Sequence, residues 1–189
     1  MRRVAVIASA SGSGKTTASR ALAARLGVRH VELDALNHGP GWVEATADEL
    51  RARLEPLVGE EGWVIDGGYR SKLGHLVLDA ADVVVWIDVP RRVWLPRLVR
   101  RSLRRVVRGE ELWNGNRESL RDVFVGRDAL IPFALRTFGE RRRRYPVELA
   151  HLPVVRLRSQ VEIDRFVSGV GSPTAGTPDP PAGGTRPTA

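Results

Sequence analysis

Short apolar runs alternate with longer amphipathic stretches through the first 167 residues. Runs at 3–8, 29–33, 62–66, 82–88 and 153–157 read as strands. Four of them are rich in Val or Ile without polar alternation, the pattern of strands covered on both faces. Helical periodicity fills the intervals at 14–26, 47–58, 71–78, 91–108, 119–145 and 160–167. Strand alternating with helix predicts an α/β domain, a five-stranded mostly parallel sheet with helices on both faces. Such sheets bind ligands at the carboxyl ends of their strands. Asp34, Asp66 and Asp88 fall at or just past three of those ends. From Ser168 to Ala189 the chain is almost all Gly, Pro, Ser, Thr and Ala, which predicts a disordered tail behind a single domain, 1–167.

Composition narrows the classes of chemistry. The 189 residues contain no Cys, which removes disulfides, thiolate catalysis and Cys-based zinc sites. No apolar run approaches the roughly 18 residues of a membrane helix, so no membrane partner is expected. Arg2 and Arg3 precede an apolar stretch, Val4 to Ala8, that is too short for a signal peptide. The expectation is a cytoplasmic protein. The formal charge of +8 suggests an anionic partner. Of the 30 basic residues only Lys15 and Lys72 are Lys, a bias that reads as codon usage in a GC-rich genome.

One of those two lysines stands in the most informative segment. The first strand runs into Ser9-Ala10-Ser11-Gly12-Ser13-Gly14-Lys15-Thr16-Thr17, and a helix follows. This is a strand–loop–helix of phosphate-loop type. Small residues let backbone N–H groups curl around a phosphate, and the helix N-terminus adds positive potential. Lys15 would reach the β- and γ-phosphates of a nucleoside triphosphate, and the Thr16 hydroxyl would ligate Mg²⁺. A guanidinium is too bulky and planar to act as that point charge. One departure is Ser9, where G-x-x-x-x-G-K-[ST] begins with glycine; a backbone that only glycine can adopt would be strained there.

Mg²⁺ in such a site is held on its far side by an Asp ending a neighbouring strand, and both Asp66 and Asp88 qualify. Asp34 would face the acceptor, binding its hydroxyl as a base or holding a Mg²⁺ water. The four histidines have no metal spacing. Residues 91–108 carry eight Arg and no acid. On a helix, Arg97, Arg100, Arg101, Arg104, Arg105 and Arg108 share one face, and Leu95, Leu98, Val99, Leu103, Val106 and Val107 the other. One or two of these arginines could neutralise a transferring phosphate. The stretch from Gly109 to Glu118, with Asn114-Gly115, reads as a turn or a mobile cover.

Taken together these residues resemble the small P-loop kinases of the adenylate-kinase-like group, and most closely the bacterial topology modulation, or adenylate-kinase-related, proteins. The resemblance covers about residues 3 to 167. GSGKTT matches the phosphate loop, and Leu33-Asp34 with Pro40-Gly41-Trp42 resembles the second-strand motif. Asp66-Gly67-Gly68-Tyr69-Arg70 resembles the D-G-F/Y-P-R segment, and Asp88-Val89-Pro90 with Arg97 and Arg101 the D-V-P strand and lid arginines.

The resemblance implies a P-loop kinase fold with a short Arg-rich lid, and an ATP-dependent, Mg²⁺-requiring phosphotransferase acting on a nucleotide or another small-molecule acceptor. It implies ATP contacts at Ser11, Gly12, Ser13, Gly14, Lys15, Thr16, Thr17 and Arg158, with metal at Thr16 and Asp66. Acceptor contacts would come from Asp34, Trp42, Tyr69 and Arg70, and catalysis from Lys15, Asp34, Arg97 and Arg101. The rival reading is a nucleotide-switched regulator that binds nucleic acid through the arginine helix. The segment between Leu33 and Gly62 is short and has no counterpart of the residues with which adenylate kinases read AMP, so the resemblance does not extend to the identity of the acceptor.

Overall fold

A computed structural model describes residues 1–171. Five strands, β1 (Arg3–Ala8), β2 (Arg29–Glu32), β3 (Trp63–Asp66), β4 (Val83–Ile87) and β5 (Val154–Leu157), form one sheet in the order β2-β3-β1-β4-β5. Every pairing is parallel. The Val- and Ile-rich runs are buried on both faces, as their lack of alternation requires. Nine helices follow the strands among the described residues: α1 (Lys15–Leu26), α2 (Leu33–Asn37), α3 (Ala47–Val58), α4 (Arg70–Leu73), α5 (Leu76–Asp79), α6 (Arg91–Arg108), α7 (Leu120–Phe124), α8 (Leu130–Glu148) and α9 (Gln160–Gly169).

Two cores sandwich the sheet. Val4, Val6, Val85 and Ile87 face Leu22 of α1, Trp94 and Leu98 of α6 and Ile163 of α9. Ala5, Ile7, Ile65 and Trp86 face Leu50 and Leu54 of α3 and Leu73 of α4. Helix α8 supplies Ile131 and Ala134 to the first core and Tyr145 and Leu149 to the second. It therefore passes between the faces beside the end of β4.

The element boundaries differ from the sequence reading in four places. Position 33 leaves the sheet, and Leu33–Asn37 coils into a short helix carrying Asp34. The stretches 71–78 and 119–145 each divide, at Gly74 and near Gly126, both with positive φ that an α-helix excludes. Helix α6 is rotated from its expected facing. Its buried residues are Trp94, Leu98 and Ser102, while Leu103 and Val107 are exposed, Val107 at 84%. The arginines at the border of that stripe therefore turn inward. The last helix runs past Val167 to Gly169, and Val170 is buried. The remainder of the expected tail, 172–189, lies outside the described residues.

Candidate functional site

The loop between β1 and α1 curls as its glycines permit. Gly12 and Gly14 have φ of 79° and 92°, conformations costly for any residue with a Cβ. Gly12 also packs so tightly on α6 that a Cβ would lie 2.8 Å from the Trp94 carbonyl oxygen. Around Gly14 a Cβ would meet nothing, so the loop opens there to solvent. Helix α1 begins at Lys15 with no side-chain cap and no acid in its first turn. Its N–H groups and positive dipole end are thus left for an anion. Ser13 closes the loop internally by donating to the Ala10 carbonyl at 2.8 Å.

Beneath the loop, Lys15 forms an ion pair with Asp66, which is wholly buried at the end of β3. Burial pulls the Lys15 ammonium below the ordinary lysine range, while the carboxylates of Asp34 and Glu32 oppose that shift; Arg141 and Arg101 reinforce it. His30 Nε2 lies 3.9 Å from Asp66, but burial holds this imidazole below the usual histidine range. Lys15 is therefore the cation that balances Asp66.

The two strand-end acids have different surroundings. Asp88 is enclosed by Arg142, with Nε 3.0 Å from Oδ1, and by Arg156, whose Nε and Nη2 donate to Oδ2 at 3.1 and 2.5 Å. Ser9 donates to its Oδ1 at 2.8 Å. Every position around Asp88 is filled from the protein, and no lone pair is left for a metal. Asp66, by contrast, meets the Lys15 ammonium at Oδ1, and its Oδ2 has no hydrogen-bond partner. Ser9 is buried and is not among the positive-φ residues, so the strain expected of it is absent.

Asp34 sits in α2, half-buried, and accepts a 2.7 Å hydrogen bond from the Tyr69 hydroxyl. That hydroxyl also lies 3.3 Å from His38 Nε2. Burial and the Asp34 charge push the Tyr69 phenol far above its ordinary range, so it remains a donor. Arg101 is turned in from α6, with its Nε buried and unpartnered, and feels both Glu118 and Asp34. Arg141, on α8, is a basic group within electrostatic reach of Lys15. Its signal was spatial only: α8 had to cross the sheet end before position 141 could matter.

Other expected residues lie elsewhere. Arg97 lines a cavity of about 360 Å³ with Gly14, Thr17, Gln160 and Asp164, and donates to Gln160 Oε1 at 3.0 Å. Arg158 is exposed and does not line it. Arg70 is paired to Glu148 at 3.0 Å and to His75 at 2.7 Å. Trp42 is tied to the 111–117 segment: its backbone N–H donates to Asn116 Oδ1 at 2.8 Å and its indole to the Arg117 carbonyl at 3.2 Å.

No protein-family model matches this chain. No curated protein matches it either. Solved structures do. It is similar to the shikimate kinase of Bacteroides thetaiotaomicron, with 17% identity, TM-score 0.54, and 89% of this chain covering 95% of that one. A shikimate kinase from Acinetobacter baumannii, in complex with shikimate, gives 19% identity, TM-score 0.53 and coverage of 90% and 91%. Deoxyadenosine kinase from M. mycoides with bound dATP gives 11%, 0.50, and 89% and 99%. At these identities the likeness establishes the P-loop kinase fold.

Proposed function

We propose that the protein is an ATP-dependent, Mg²⁺-requiring phosphotransferase acting on a small-molecule acceptor. The observation that carries this reading is the Lys15–Asp66 pair under a glycine-turned loop at the open N-terminus of α1. The loop N–H groups hold the β- and γ-phosphates, and Lys15 leaves Asp66 to follow the charge that moves. Thr16 and Asp66 are the groups that would hold Mg²⁺, Asp88 being fully engaged, and the ion would supply charge neutralisation at the phosphates. Asp34, held by Tyr69, orients the acceptor hydroxyl and accepts its proton. Arg101 neutralises the transferring group from the α6 side. Arg97, Gln160 and Asp164 border the donor nucleoside. The same reading places the protein in the cytoplasm, where ATP and Mg²⁺ are supplied.

The nucleic-acid reading gains nothing from the structure. Part of the arginine face is engaged by the protein itself: Arg105 pairs with Glu118 at 2.9 Å, Arg101 is turned inward, and the exposed Arg104 pairs with Glu110 at 3.1 Å. No helix among the described residues is long and apolar enough to cross a membrane. The test is transfer of labelled γ-phosphate from ATP and Mg²⁺ to a panel of nucleosides, nucleoside monophosphates and small polyols. Transfer to one class, absent without Mg²⁺, is expected; no transfer to any of them refutes the reading.

A further inference from the structure

Asp88 plays no part in the phosphate chemistry above, yet three separate elements converge on it. Ser9 comes from the start of the phosphate loop, Arg156 from β5 and Arg142 from α8, while Asp88 itself follows β4. Ser9 is the pivot. Its hydroxyl donates to Asp88 Oδ1 at 2.8 Å and accepts from the Trp86 indole N–H at 2.9 Å, and its backbone N–H donates to the Ile87 carbonyl at 3.1 Å. Arg156 lies 4.0 Å over the Trp86 ring. A glycine here would leave a buried carboxylate short of a donor and a buried indole short of an acceptor. The backbone at position 9 makes no demand for glycine.

We propose that Ser9 is a positioning residue of the phosphate loop, tying its first position through Asp88 to Arg142 so that the loop and helix α8 keep one register. The proposal rests on the phosphotransferase reading. A loop that binds through backbone N–H groups works only when its entry dihedrals are fixed, and the hydroxyl fixes them against a buried charge. On a helix, neighbouring side chains point about 100° apart. Anchoring Arg142 on Asp88 therefore sets the direction of Arg141, the residue beside it, which is within electrostatic reach of Lys15. The strut thus links the entry of the loop to the stretch of α8 that carries Arg141.

The experiment compares wild type, Ser9→Ala, Ser9→Thr, Arg142→Gln and the Ser9→Ala/Arg142→Gln double variant. Three quantities are read: kcat and KM for ATP, affinity for a fluorescent ATP analogue, and the Trp86 indole ¹⁵N–¹H resonance, assigned with Trp86→Phe. Ser9→Ala should lower kcat about 10-fold, the size of one lost hydrogen bond to a charge. ATP should move the Trp86 resonance in wild type and not in Ser9→Ala, and Ser9→Thr should recover most of the loss. The double variant should be no slower than the slower single one, because both cut the same strut. Wild-type kcat, ATP affinity and indole response in Ser9→Ala, or single losses that multiply, overturn the proposal. Should Ser9→Ala not fold, Arg142→Gln, at a half-exposed position, carries the same readings. A wild type that binds ATP but transfers to no acceptor would sink the kinase reading alone, since analogue affinity and the indole shift still decide on Ser9. One that does not bind ATP sinks both.

Discussion

On the phosphotransferase reading proposed above, the donor and acceptor sides of the site are built in opposite ways. The donor side is centred on one contiguous stretch, Ser9 to Thr17, which would offer backbone N–H groups beside the Lys15 and Thr16 side chains and is open at Gly14. The acceptor side is assembled from the β2–α3 and α6–α7 connections, and it is closed on itself. Each connection is pinched by an isolated antiparallel bridge, His38 to Glu44 and Glu111 to Arg117. Each holds a tryptophan and two left-handed residues at its tip, Gly41 and Trp42 in one and Asn114 and Gly115 in the other. The two tips are latched. Asn114 donates to the His38 carbonyl at 2.5 Å, Asn116 donates to the Gly39 carbonyl at 2.9 Å, and the His38 ring lies between Trp42 and Trp113. A phosphate site can stand open because water competes weakly with a fixed cage of N–H groups. An acceptor site that must exclude water needs a cover.

The largest test of this contrast is Lys15→Arg on the donor side. It keeps the charge and balances Asp66, so the protein should stay folded. Transfer should nevertheless fall on the order of 10²–10³-fold, because a planar fork cannot act as the compact ammonium does. The measurement is kcat with labelled ATP beside a thermal melt; wild-type rates would remove Lys15 from the chemistry. Next in size is Asp34→Asn. Loss of the proton acceptor should lower kcat about 10²-fold with ATP affinity unchanged. A variant that loses ATP affinity instead would show that Asp34 belongs to the donor side.

Legibility from sequence follows the same division. The sheet, its parallel sense and the phosphate loop could be read because each is written in adjacent residues. Lys15 stood out in a chain that otherwise uses Arg. The other lysine, Lys72, went unread, although the structure gives it an equal reason: its ammonium donates at 2.7 Å to Asn37 Oδ1, Glu44 Oε2 and the Ala45 carbonyl. Three acceptors around one point suit an ammonium better than a guanidinium fork. The latch could not be read, since Asn116 and its partners are more than 70 positions apart. Nor could the facing of α6, where a strong arginine stripe hid the Trp94, Leu98, Ser102 stripe that is buried. Charge patterning showed that the helix was two-sided, and only packing against Gly12 decided which side was in.

Unlatching the cover gives a smaller effect confined to the acceptor. Asn116 is 4% exposed and its side chain makes bonds to Trp42, Gly39 and Trp113. Asn116→Ala should raise the acceptor KM about 10-fold, the scale of one or two net hydrogen bonds, and leave ATP affinity alone. Amide exchange should quicken at 38–44 and 111–117 without change in α1. Equal loosening of both regions would mean that the two sides are not mechanically separate.

The smallest prediction lies at the opposite end of the strands and serves as the control. Asp82, before β4, accepts from the backbone N–H groups of Arg2 and Arg3 at 2.6 and 3.0 Å. Those bonds favour its charged form and hold its carboxyl below the ordinary aspartate range. A depressed folded pKa contributes stability that is fully present above the unfolded value of about 3.9 and is lost as pH falls through the folded one. The Tm gap between wild type and Asp82→Asn should therefore be constant near neutrality and shrink below about pH 4. Because Asp82 is largely exposed, water and salt screen the effect and the gap should be small. Neither ATP affinity nor acceptor KM should move, since this clamp holds the strand starts while both halves of the site hang from the strand ends. If Asp82→Asn changed either one, the sheet would be transmitting strain along its strands, and the loss in Asn116→Ala could no longer be assigned to the latch alone.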